Sequence, residues 1–488
     1  MTTIIPSSIR RPGSYTDFQY TSGRRSLVPS DRPIALLGIK SSAGTLAVAT
    51  PTRILDTTEA DTLAGKGSEL ALMARAALAQ GEREPSPPPL YLVAIAAPSG
   101  GGTAAAVSTL TWSGTATASG NAIVRIAGRP VIVPVTSGDT AATVAAAAEA
   151  AIDALVDVLP VTASVVGAVV TCTVVHAGAN GNDVKFRAEQ LVAGINLAIA
   201  QTVAGAGTTD LTASLAVLEG ARYDAIVTAN GDANDVSDLA AHLAVTNTAG
   251  AGRWRRVYLA ETGTIGAATT HASSFNSVGA LVVTAEQFES LPGEIAAAKA
   301  VAECGASRPN PNLNGHVLVG YASPASYWYT ETETETALAA GLTPLAPVLN
   351  SAGAAIDGVV RIVKPSTTKT TEGGAPVEFP RAPYVSNVGW YLARQIDAKY
   401  AEQFTGPEAL IDDEAPARVK DMIVDVLYAA QAARIVRQVE DVIGLIVVEI
   451  DGSVTGRLNA DVPYVPVGPI DQLATLHRVT MNLGRGLA

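Results

Sequence analysis

The chain offers few residue groupings able to do chemistry. Its five histidines, His176, His242, His271, His316 and His477, are scattered, and none lies within a short metal-ligand spacing of another. Asp235 and Asp238 near His242 read as a solvated helix face. The two cysteines, Cys172 and Cys304, stand too far apart for a thiolate metal pair or a disulfide framework and read as buried, reduced thiols. No G-x-S-x-G elbow, no G-x-x-x-x-G-K-[ST] phosphate loop and no H-E-x-x-H helix occurs. Gly205-Ala-Gly207 and Gly250-Ala-Gly252 lack the third glycine and the strand-to-helix setting of a dinucleotide site. The run Thr330–Thr336 places Glu331, Glu333 and Glu335 at period two, which on a strand would line one face as a cation site. The alternative is an exposed surface or the start of a helix. No catalytic residue, cofactor or metal is therefore expected.

The elements that would carry such residues fall into blocks. A length of 488 residues suggests about three domains. A net charge of −12 leaves no basic field to hold nucleic acid, and no run approaches the ~20 apolar residues of a membrane span. The opening MTTIIPSSIRRPG lacks an apolar export core, so the expected place of synthesis and assembly is a cytoplasm. Residues 1–33 form a basic arm, net +3, with β character at Ser14–Thr21. From Pro33, a buried strand (34–39), a helix begun at Ser68 and closed by a left-handed Gly81, and a strand (90–96) make a βαβ unit. After Pro98–Gly102 come short strands, one Ala-rich helix and Gly-rich turns up to about residue 203, an inserted α+β domain. Alternating strands and helices then resume. The expected class is multidomain α/β: a doubly wound domain, 34–97 and 204–344, split by the insertion at 98–203. Residues 345–471 read as a C-terminal α+β domain, with helices near Val388–Tyr400 and Pro416–Val439. They also hold a hairpin pairing Leu445–Asp451 with Val454–Leu458 through Asp451-Gly452. Residues 472–488 form a second β-like arm.

Charge separates these blocks. Residues 395–451 carry net −7, against the basic first arm, so arms and acidic end complement one another between copies. Arg10, Arg11, Arg24 and Arg25 are the candidate cations of that interface, and Asp412, Asp413 and Glu414 the candidate anions.

With arms, split α/β domain and helical C-terminal block in this order, the chain resembles the sheath proteins of contractile phage tails, in particular those of Mu-like phages. The resemblance rests on Arg11-Pro-Gly-Ser-Tyr-Thr-Asp17, on Pro463-Tyr-Val-Pro-Val-Gly-Pro-Ile-Asp-Gln-Leu473, and on the order of elements over nearly the whole chain. It implies a subtilisin-like α/β domain without catalytic machinery and a C-terminal domain facing the tail tube. It further implies arms that complete sheets in neighbouring subunits, with Tyr15, Phe18 and Tyr20 in the first and Leu476, Val479 and Met481 in the last as strand-pairing contacts. The partners it implies are the chain itself in a helical polymer, the tube protein, and the baseplate and tail terminator proteins, in a virion tail. A hydrolase on the α/β domain and a cell-surface array or adhesin protein are the competing readings. The domain at 103–203 departs from many sheaths and suggests an outward decoration.

Overall fold

The computed structural model describes residues 31–229, 231–378, 381–404, 411–454 and 456–469. Among these, two compact units separate, one running to Trp390 and resuming at Gly468, the other Tyr391–Val467.

The first unit opens with strand β1 (Ile34–Gly38), the short β2 (Thr52–Ile54), helices α1 (Thr57–Ala64) and α2 (Glu69–Gly81), and β3 (Leu90–Ala94). The insertion holds β4 (Ser99–Gly114), β5 (Gly120–Ile126), β6 (Arg129–Val135), α3 (Ala141–Asp153), β7 (Val161–Val166), β8 (Val169–Ala177), β9 (Phe186–Gln190), β10 (Ile195–Val203) and β11 (Ala206–Thr208). There follow α4 (Thr212–Glu219), β12 (Ala225–Thr228), α5 (Ala233–Thr246), β13 (Arg256–Glu261), α6 (Ile265–Phe275), β14 (Ala280–Thr284) and α7 (Pro292–Cys304). Next come β15 (Val317–Val319), α8 (Glu331–Ala339), β16 (Thr343–Leu349), β17 (Ala355–Ile362), β18 (Thr371–Glu372) and β19 (Ala375–Pro376). Helix α9 (Pro383–Gln403) begins in this unit and ends in the second, which continues with α10 (Ala415–Ala432), β20 (Val436–Arg437), α11 (Val439–Val442), β21 (Val447–Ile450), β22 (Leu458–Asp461) and β23 (Val465–Pro466).

Nine strands form the main sheet in the order β15-β17-β16-β14-β13-β12-β1-β3-β2. From β3 to β16 neighbouring strands pair in parallel, while β2, β15 and β17 run antiparallel to their neighbours. A strand alternates its side chains between two faces, and β1 shows what that does here. Ile34 and Leu36 join a core with Met73 of α2 and Ala297 of α7, while Ala35 and Leu37 join another with Leu215 of α4 and Leu239 of α5. Both faces being covered explains why every residue of β1 is apolar and buried.

The helix starts are set by caps: Ser68 Oγ accepts from Ala71 N at 3.2 Å and Thr264 Oγ1 from Ala267 N at 3.3 Å. Gly81 departs from expectation. It is the last residue of α2, followed by Glu82 in right-handed geometry, so no left-handed closure occurs there. The chain beyond Thr343 also differs. β16 pairs with β14, and β17 with β16 and β15, so residues 343–362 extend the main sheet instead of opening a C-terminal domain at 345. Their apolar alternation matches either assignment, and only pairing decides it.

The helix expected to Val439 stops at Ala432, because Arg434 takes φ 59° and Val436–Arg437 pairs with Val465–Pro466. The hairpin is displaced as well: Val447–Ile450 pairs with Leu458–Asp461. The cause is Asp451, whose carboxylate accepts from Ser453 N at 2.7 Å and Val454 N at 2.9 Å and turns the chain into a longer loop.

Candidate assembly surfaces and the closed crevice

The strand-pairing residues Tyr15, Phe18, Tyr20, Leu476, Val479 and Met481, and the cations Arg10, Arg11, Arg24 and Arg25, lie outside the described residues. Asp412, Asp413 and Glu414 are exposed at the entry to α10. Asp412 is held locally, accepting from the Arg418 guanidinium at 2.8 Å and from Glu414 N at 3.2 Å, which reduces what it can offer a partner. Glu414 occupies the cap position without a side-chain cap bond.

In the same unit, β21 and β22 make a two-stranded sheet of their own. Leu445, Val447, Ile450 and Val454 are exposed on or beside it. The hairpin packs against α10 through β21 yet leaves these apolar side chains bare, and a two-stranded ribbon gains from added strands. Its turn is well made: Asp451 also binds Asn459 Nδ2 at 3.0 Å, and these bonds, the one from Ser453 N foremost, hold its carboxyl well below the ordinary range.

In an open α/β sheet, ligands bind outside the carboxyl ends of the strands where the strand order reverses, here around β1 and β12. That place is filled by the inserted domain. Ile39, just past β1, donates its N–H to Glu69 Oε2 at 2.9 Å, and Asn180 of the insertion donates to Glu69 Oε1 at 2.9 Å. The turn carrying Asn180 is pinned from behind, because Asn182 exchanges two bonds with the backbone of Gly205, at 2.8 and 3.0 Å. Gly178 sits at φ 124° where a Cβ would come within 2.8 Å of Pro98, so this position favours glycine. Asp183, on the same turn, lies 3.5 Å from Thr262 Oγ1, and burial pushes its carboxyl up to about 6. Burial also raises Glu261, but bonds from His271 and from Gly263 N outweigh it and leave this carboxyl below its usual value. His176 is buried, and burial lowers its basicity. Acids and imidazoles do meet here, with the Thr262 hydroxyl making only a long bond to Asp183. No group of His, Cys, Asp or Glu suited to a metal ion exists among the described residues.

Three arginines fasten the insertion elsewhere. Arg125 of β5 binds both Glu189 and Asp357 at 2.8 Å, Arg187 of β9 binds Glu289 at 2.5 Å, and Arg129 of β6 pairs with Glu294 of α7. Leu72 and Leu291 of the α/β part complete the insertion's own core. The insertion is thus docked firmly, which sequence spacing gave no means of seeing.

Other sequence candidates resolve into structure. Thr330 and Glu333 form a reciprocal cap, Thr330 Oγ1 accepting from Glu333 N at 3.3 Å and Glu333 accepting from Thr330 N at 2.8 Å. Thr330–Thr336 therefore starts helix α8, and the three glutamates do not share a strand face. Asp235 is buried, accepting from Thr209 Oγ1 at 2.5 Å, contrary to the solvated reading. His242 is pushed down to about 4, first by burial and then by Arg255, whose guanidinium lies 3.1 Å from Nε2. Cys172 and Cys304 are buried, and burial pushes both thiols up to about 12, which makes them poor nucleophiles.

Helix α7 is buried along its whole length yet carries Lys299 and Glu303. Glu303 accepts from Lys299 Nζ at 2.6 Å, pairs with the Arg256 guanidinium, and accepts from Asn387 Nδ2 of α9 at 2.9 Å. Arg256 also donates to Ser386 Oγ at 2.6 Å and lies 5.1 Å from the centre of the Trp390 ring. This knot of buried charge anchors the first two turns of α9.

No helix among the described residues is long and apolar enough to cross a membrane. No protein-family model matches the chain, and no curated protein matches it. Solved structures do. The chain is similar to the sheath tail protein from Desulfitobacterium hafniense, with TM-score 0.51 and 16% identity over 93% of this chain and 97% of that one. It is also similar to the sheath tail protein from Listeria innocua, with TM-score 0.51 and 13% identity over 91% of this chain and 94% of that one. At these identities the likeness establishes a shared fold.

Proposed function

We propose that this chain is the structural subunit of a contractile tail sheath of the Mu-like kind, polymerising helically around a tail tube. Contraction would then drive the tube through a host envelope for genome delivery. The observation that carries the reading is a fold shared over nine-tenths of both chains with two sheath tail proteins. The closed crevice agrees with it, since a subtilisin-like domain used as a scaffold has no need of an open site.

The mechanism follows from the parts. The hairpin β21–β22 has edges to offer, and the two arms have the β character to fill them, so each subunit would complete its neighbour's sheet by strand addition. Such head-to-tail contacts do not close on themselves and extend as a helix. Contraction would be a passage from an extended, metastable packing to a tighter one with the arms as hinges, needing no nucleotide. Tube, baseplate and terminator proteins are the remaining partners, and the host cytoplasm is the place of assembly.

Negative-stain electron microscopy of the purified protein across a concentration series, with and without a tail tube, tests the reading. Long hollow tubes with a helical repeat are expected. Discrete particles at every concentration, with tube present, would overturn it.

A further inference from the structure

We propose that the sheet β10-β4-β8-β7 of the inserted domain continues from copy to copy, the free edge of β7 in one subunit pairing with the free edge of β10 in the next. This rests on the polymerising reading above and adds to it a lateral contact between the inserted domains.

Both terminal strands of this sheet are unguarded. β7 reads VTASVV and β10 reads INLAIAQTV, without a proline or a formal charge in either. β4 and β8 carry no Asp, Glu, Lys or Arg either. Val166 at the end of β7 is 81% exposed. Soluble proteins blunt their edges with charge, proline or brevity, because unpaired N–H and C=O groups recruit strands from other chains. The other two large sheets of this unit follow that rule. The adjacent sheet β6-β5-β9 ends in β6, with Pro130 and Pro134, and in β9, with Arg187 and Glu189. The main sheet ends in β2 and β15, each three residues long. An exemption at both ends of one sheet, and only there among these, marks a surface kept free for pairing.

Strand direction fits a second copy as the occupant. β4 is antiparallel to both β10 and β8, and β8 is antiparallel to β7. Hence β7 and β10 run in opposite senses. A copy displaced along the sheet sets its β10 beside β7 as one more antiparallel pair, with no reversal of the chain. The outward face is uncharged, with Thr109 opposite Thr171 and Thr162 opposite Thr173, so adjacent copies meet no charge repulsion.

Hydrogen exchange of the full chain, dispersed and assembled, reads this directly, with microscopy of the same samples scoring assembly. The outward amides of β7 and β10 should slow on the order of 100-fold together on assembly. A Ser164→Lys, Val166→Lys variant, altering β7 at exposed positions, should abolish the slowing at β10 as well, in trans. Tubes whose β7 and β10 edges exchange freely, or slow at one edge only, would overturn the pairing while leaving the sheath reading intact. Paired protection in particles that never form tubes would uphold the pairing and sink the sheath reading.

Discussion

Replacing Glu303 by glutamine should cost about 3 kcal/mol of stability at neutral pH, and the cost should vanish in acid. Glu303 is 2% exposed and faces Arg256 and Lys299, both essentially buried. Burial alone would raise its carboxyl, but Arg256, Lys299 and Asn387 overcome that and hold it at about 2, against 4.5 for a free glutamate. At 1.36 kcal/mol per unit this is about 3 kcal/mol, in line with the ~3–5 kcal/mol lost when one partner of a buried pair is removed. The folded value lies below the unfolded one, so this stabilisation is full above pH 4.5 and fades as the pH falls toward 2. Thermal melting followed by circular dichroism, at pH 7 and in steps down to pH 2.5, measures both effects. At roughly 2 °C per kcal/mol, the variant should melt ~6 °C lower at pH 7, and the gap should shrink steadily below pH 4.5. A gap under ~1 °C at pH 7, or one that does not narrow in acid, would refute the reasoning. A Lys299→Met, Glu303→Gln double variant should recover part of the loss, because one of the two stranded cations is gone.

Three further outcomes are expected. Gly178→Ala should lower stability by ~1–3 kcal/mol, since the left-handed backbone and the approach to Pro98 both oppose a Cβ, and urea denaturation reads the change. Arg125→Ala removes the side chain joining Glu189 to Asp357 and should speed proteolytic cleavage near residues 98–103 severalfold, with the melting point of the whole chain moving little. Deleting residues 1–22 should leave a folded, soluble protein that forms no tubes; tubes of normal length under the microscope would dismiss the arm mechanism.

Much of the architecture is legible in the sequence because buried parallel strands and capped helices have local signatures. Ile34–Gly38 is an unbroken apolar run, and Ser68 announces the helix it caps. What stays hidden is set by partners distant in sequence. Lys299 and Glu303 lie in an Ala-rich helix buried throughout, and Arg256 and Asn387, distant in sequence, make their burial tolerable. Arg125 finds Asp357 across 232 positions, for which spacing offers no clue. The hairpin was displaced by one side chain, Asp451, whose bonds to the backbone outweigh the Asp-Gly signal. Of the expected interface residues, only Asp412, Asp413 and Glu414 fall among those described, and there Asp412 proves to be occupied by Arg418.

The turn at Gly178–Asp183 also bears on how such a chain can change over time. Loops at the carboxyl ends of parallel strands are where α/β proteins ordinarily acquire new activities, because substitutions there leave the core alone. Here that ground is taken up by a docked domain, and Asn180, Glu69 and Gly178 each serve two bodies at once. A mutation that reopened the crevice would loosen the insertion before it gained anything. Substitutions at the outward surfaces of this chain leave that docking unchanged.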